Sequence, residues 1–161
     1  MASASATLVM GVRLDKMCEI RDVPGPKKYD QDTGEPVENL VQRVFIMGKE
    51  VTVDSYGPSG WYDELVPKNW HGKAGIYGCG DGSDCGGGTQ YRNYQLNTFV
   101  FGIALAVTED DHGEVVPVPS DLKSYEDKVM VLLGDLRHQM GLDPILHDLV
   151  PSLHLVCYYS Y

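Results

Sequence analysis

The chain has 161 residues, enough for one domain that holds a core without disulfides or metals, since a domain of this size buries roughly 70% of the surface its unfolded chain exposes. Its formal charge of −10 is unevenly spread: residues 1–80 carry 9 Lys/Arg against 11 Asp/Glu, and residues 81–161 carry 4 against 12. That second half repels nucleic-acid phosphates and anionic lipid, which excludes both as partners, and it attracts a protein with a basic surface.

Four cysteines do not make a disulfide scaffold, and Cys18 and Cys157 stand in apolar contexts like small core residues. The start, Met1 to Thr7, lacks the positive segment of a secretory leader, and the longest run without polar residues, Phe99 to Val107, is too short to span a bilayer. The expected compartment is therefore a reducing cytoplasm. Tyrosine, at 10 residues against 3 phenylalanines, points to contact surface, because Tyr joins an apolar body to a polar tip.

In chain order, Leu8 to Leu14 reads as a first strand, and residues 22–38 read as loop because of Pro24-Gly25-Pro26 and a turn at Asp32-Thr33-Gly34. Leu40 to Met47 and Glu50 to Asp54 are β-prone runs flanking Gly48-Lys49, which predicts a hairpin with a two-residue type II′ turn. Residues 55–94 form a long loop rich in glycine and aromatics, with one short helical turn expected at Tyr62 to Val66. Thr98 to Thr108 is almost wholly apolar and reads as a buried strand. Glu109 to Gly113 then turns the chain into a returning strand, Glu114 to Val118, placed at a sheet edge by Pro117.

Leu122, Tyr125, Val129, Leu132, Leu133, Leu136 and Met140 recur every three or four residues and predict an amphipathic helix over 121–140. Ser120 or Ser124 is its expected N-cap, Gly141 its left-handed C-cap, and Gly134 the mark of a close packing contact. Residues 144–149 suit a further helical turn. Leu153 to Tyr159 reads as a last strand, apolar enough on both faces to lie inside a sheet. The expected fold is α+β: a single domain with a mixed or mostly antiparallel sheet of about five to six strands, packed by one long C-terminal helix.

The glycine run Gly78 to Gly88 is no phosphate loop. It lacks a following Lys-Ser/Thr pair, and Asp81 and Asp84 repel phosphate. As a calcium loop it fails at the twelfth place, where Arg92 replaces the bidentate Glu. Five residues separate Cys79 from Cys85, wider than structural zinc pairs, and His71 leaves a tetrahedral site incomplete. No metal site and no cofactor are expected. Ser59, in Gly57-Pro58-Ser59-Gly60-Trp61, misses the nucleophile-elbow pattern, and no catalytic residue is assigned.

Three functions of different kinds follow from these residues. The first is a non-enzymatic protein-binding module, an inhibitor or adaptor, whose acidic contacts are Glu109, Asp110, Asp111, Glu114 and Asp121. The second is a small-molecule or nucleotide-binding protein whose loop 55–94 closes on a ligand through Trp61, Tyr62, Trp70, Tyr77, Asp81, Tyr91 and Arg92. The third is a small enzyme using Asp135, His138 or His154, with no motif to define it. The partner is accordingly a basic protein or a small molecule, and a homo-oligomer is compatible with either.

Overall fold

A computed structural model describes residues 3–53, 57–78, 96–108, 115–142 and 149–160. The fold is α+β, with antiparallel sheets packed against one long C-terminal helix. The main sheet has four strands in the order β7–β8–β1–β9, built from β1 (Ser3–Arg13), β7 (Gly75–Gly78), β8 (Phe99–Thr108) and β9 (Ser152–Ser160). A three-stranded sheet joins β2 (Cys18–Pro24), β5 (Leu40–Ile46) and β6 (Lys49–Val51), and β3 (Lys28–Tyr29) pairs with β4 (Pro36–Val37). More strands form than the five or six expected, and they divide among three sheets.

β8 is apolar along most of its length because strands flank it on both sides and both faces of the sheet are covered. On one face Met10, Val12, Phe99, Phe101 and Ile103 join the main core, and on the other Val9, Val100 and Val156 form a smaller cluster with Tyr77 and Tyr158. β1 and β8 approach closely where Gly11 faces Gly102. A Cβ on Gly102 would run into the carbonyl oxygen of Met10, so the close approach requires glycine there.

The long helix α2 (Leu122–Gln139) lies on the main-core face against β1 and β8. Val129, Leu132, Leu133 and Leu136 are its wholly buried stripe, as the three- and four-residue spacing predicts. Its N-cap is Asp121 rather than Ser120 or Ser124: the Asp121 carboxylate accepts from the Ser124 N–H at 3.0 Å. At the other end Gly141 has φ 69°, its N–H bonds the His138 carbonyl, and the Leu142 N–H bonds that of Arg137, a Schellman closure. The Lys49 ammonium, from β6, donates to the Met140 carbonyl and so places a cation on the negative end of the helix dipole. Gly134 marks no close contact, since a Cβ there would meet nothing within 4 Å.

The β5–β6 hairpin forms one residue earlier than the sequence suggests. Ile46 pairs with Lys49, so Met47 and Gly48 make the turn, with φ 51° and 82°. Positive φ at both central positions is the type I′ geometry, whose twist matches the flanking strands, and the type II′ expectation is corrected. The residues 115–119 form no returning strand. β1 and β7 already occupy both edges of β8, and Pro117 and Pro119 lack the N–H groups a ladder needs. Among the described residues the last strand lies at the edge of its sheet rather than inside it, because of these only β1 pairs with β9. The further helical turn expected at 144–149 falls, up to residue 148, outside the described residues.

The described part of the aromatic loop is built rather than open. Short 3-10 turns at Pro58–Gly60 and Lys68–Trp70 flank α1 (Tyr62–Leu65), and the chain then enters β7. Trp61, Leu65 and Val66 are buried and plug the main core. The Gly72 N–H bonds the Tyr62 hydroxyl at 3.0 Å, and the His71 ring contacts the Val66 carbonyl at 3.0 Å, which ties the segment back on itself.

Candidate functional site

The feature that stands apart from the core is a β-arm grown from β2 and β5. Near the core their side chains alternate, with Cys18, Ile20, Val44 and Ile46 buried and Glu19, Arg21 and Arg43 exposed. The pairing runs from Cys18↔Ile46 to Pro24↔Leu40 and continues beyond the sheet into β3 and β4. The Gly25 N–H bonds the Asn39 carbonyl at 2.7 Å, and the Asn39 amide donates to the Pro26 carbonyl at 2.8 Å, so the two segments form one ribbon.

The tip is locked by Asp30. Its carboxylate accepts from the Thr33 N–H at 2.8 Å, the Asp32 N–H at 2.9 Å and the Thr33 hydroxyl at 3.1 Å. These bonds, the Thr33 backbone bond foremost, hold its pKa below the usual aspartate value. The Gly34 N–H closes on the Asp30 carbonyl at 2.9 Å, with φ 70° at the glycine. Every residue from 26 to 38 is exposed. The arm presents Tyr29 at 58% and Val37 at 47% exposure, with Leu40 at its base at 51%, among Asp30, Asp32, Glu35 and Glu38 and two lysines, Lys27 and Lys28.

A second surface is a groove of about 520 Å³ between Trp70 and the outer face of α2, lined by Asp121, Lys123, Asp127, Lys128 and Val131. Its floor is fixed by the Trp70 indole N–H, which donates to Asp135 at 2.6 Å beside the Asn69 amide at 3.0 Å. These two donors lower the Asp135 pKa, with a smaller contribution from the charge of His138. On the rim, Lys123 bridges Glu126 at 3.1 Å and Asp127 at 3.2 Å. A cavity of about 460 Å³ lies beside Cys18, Met17, Phe45 and Leu96. Burial pushes the Cys18 thiol up to about 12, so it stays protonated and is a poor nucleophile.

The residues named from sequence scatter over the fold. Trp61 is fully buried, so its ring packs the core and presents no surface to a ligand. Tyr62 and Trp70 are half-buried and engaged as described, and Tyr77 packs under the opposite face of the main sheet, where burial raises its pKa and a backbone hydrogen bond at Ala104 partly offsets the rise. Asp121 caps α2. Asp81, Tyr91, Arg92, Glu109, Asp110, Asp111 and Glu114 lie outside the described residues, as do Cys79 and Cys85. Of the enzyme candidates, His154 contacts the Ser152 hydroxyl at 2.9 Å on β9, His138 is exposed on α2, and Asp135 holds Trp70. Among the described residues no three His, Cys, Asp or Glu side chains gather to hold a metal ion, and no helix is long and apolar enough to cross a membrane.

Sequence reasoning missed the arm. The signal was present in the alternation from Cys18 to Arg21, but Pro24 and Pro26 made the following residues look like loop. No protein family, curated protein or solved structure matches this chain.

Proposed function

We propose that this chain is a protein-binding module without chemistry of its own, engaging a partner of basic surface through the β-arm, with its acidic second half drawing that partner in. The observation behind the proposal is the arm itself: an ordered ribbon, exposed from residue 26 to 38, that contributes nothing to the core. Fixing a residue's backbone costs roughly 1–2 kcal/mol, and a two-stranded ribbon alone is marginal in water. Prolines, the Asp30 lock and the backbone ladder hold the arm in shape in advance, which lowers the entropy lost on binding. Its outer strand edges offer backbone donors and acceptors for strand addition, and Tyr29 and Val37 add apolar area. A reducing cytoplasmic setting suits the free thiols of Cys18 and Cys157.

The test replaces residues 26–38 by Asn-Gly between Gly25 and Asn39, which the Gly25–Asn39 hydrogen bond already holds in hairpin register. The shortened protein should keep its melting temperature and lose the partner recovered with the full chain from its native cells. Recovery of the same partner at the same yield would contradict the proposal. A second reading, a small-molecule site, has the Trp70 groove behind it. A ligand bound there would change the emission of half-buried Trp70 but leave the buried Trp61 signal in a Trp70→Phe variant unmoved.

A further inference from the structure

Residues 115–119, Val-Val-Pro-Val-Pro, belong to no strand or helix, yet their backbone has little freedom. Pro117 and Pro119 fix their own φ near about −65°. Val116 and Val118 each precede a proline, which drives them out of the helical region towards extended or polyproline II backbone. A polyproline II stretch is a left-handed helix of about three residues per turn, with no hydrogen bonds of its own.

The burial of the segment has that period. Val116 and Pro119, three apart, are half-buried and face the protein. Val115 and Val118, also three apart, are 96% and 49% exposed, and Pro117 and Ser120 are exposed on the remaining face. Strand alternation would instead put Val118 on the same side as Val116. The far end of the segment is anchored, because Asp121 caps α2 through the Ser124 N–H. No other described residue hydrogen-bonds to residues 115–119, which leaves their carbonyls open to an outside donor.

We propose that residues 115–119 are a polyproline II ligand for a partner protein whose groove is lined by aromatic rings and rimmed by basic residues. This contact goes beyond the β-arm and does not depend on it. Aromatic rings of such a groove pack against the Val115–Val118 face and against Pro117, and their indole or phenol donors take the open carbonyls. The prolines have already restricted the segment, so little backbone entropy is lost on docking. Charge sets the rim. Residues 115–119 carry no charge, whereas the six residues before them in sequence, Glu109 to Glu114, hold four carboxylates and no Lys or Arg. A partner that added a strand here would find Pro117 and Pro119 without N–H groups to pair, and an anionic membrane would meet the carboxylates.

The test titrates purified SH3, WW and EVH1 domains, which carry grooves of this kind, into the full chain labelled with isotopic valine. At least one domain with a basic rim should bind and shift the amide signals of Val115, Val116 and Val118, more weakly as salt rises. Val118→Lys, at an exposed position, should raise the dissociation constant at least tenfold, as expected when one valine side chain is no longer buried in the complex. Pro117→Ala should raise it severalfold by restoring backbone freedom, and neither variant should change the melting temperature by more than a degree or two. Val131→Lys, on the exposed side of α2, and the arm-shortened chain should bind as the parent does. The proposal is overturned if none of the domains binds at concentrations up to about 1 mM. It is also overturned by binding that neither Val118→Lys nor salt weakens, or by sedimentation of the chain alone showing a dimer that Val118→Lys dissolves.

Discussion

Gly134→Ala should stabilise the protein, against the usual direction of substitutions within a packed helix. Gly134 sits in the middle of α2 between the buried Leu133 and the half-buried Asp135. In a helix interior glycine is about 0.8–1.0 kcal/mol worse than alanine, because its unfolded state has more freedom to lose. Only a steric clash would reverse that sign. The backbone there is helical, and an added Cβ meets nothing within 4 Å, so no neighbour has to move. Nearly the whole propensity difference should therefore appear, about 0.5–1 kcal/mol, or a rise of roughly 2–4 °C in melting temperature for a chain of this size. Urea denaturation gives the free energy and calorimetry the temperature. The paired control is Leu136→Ala, two residues on and fully buried, which should cost about 2–5 kcal/mol. A Gly134→Ala variant less stable than its parent would mean that another part of the chain packs against α2 there, and the reasoning would fall.

Gly48→Ala should cost about 1–2 kcal/mol through backbone strain alone, since its φ is 82° and the site is sterically open; denaturation midpoints measure it. The folded-state pKa of Asp135 lies below its unfolded value, so its contribution to stability is complete above the unfolded aspartate value and lost as pH falls through the folded one. The stability gap between the parent and Asp135→Ala should be flat above pH ~5 and shrink below it, and a gap that widens in acid would refute the assignment. Peptide mass spectrometry after brief alkylation at pH 8 should find Cys157 modified and Cys18 untouched until the protein is unfolded.

The parts of the fold legible in the sequence are those where one local pattern decides the outcome. α2 announces itself by its stripe and by Gly141, and β8 by an unbroken apolar run. The β5–β6 hairpin was visible to within one residue, but propensity favours positive φ at Gly48 alone, and only the pairing Ile46↔Lys49 shows that Met47 shares it. β7 was hidden because glycine and tyrosine give no alternation, and it exists through pairing with β8. The returning strand expected at 114–118 is plausible locally, but its described residues, 115–118, form no strand because β8 has no edge left. For the candidate site the limits were similar. Tryptophans in a glycine-rich stretch suggested a ligand surface, but whether an aromatic faces in or out is a tertiary fact, and Trp61 faces in. The arm is not legible because proline reads as loop, although proline also suits the margins of a two-stranded ribbon.

The claim that the arm binds a protein is tested most directly by photo-crosslinking in the cells that make this chain. A photoreactive amino acid would replace Tyr29 on the arm in one strain and Val131, 57% exposed on α2, in another. A single heavier adduct carrying a basic protein, formed from position 29 and not from position 131, is the predicted result. No adduct at position 29 while position 131 captures a partner would contradict it.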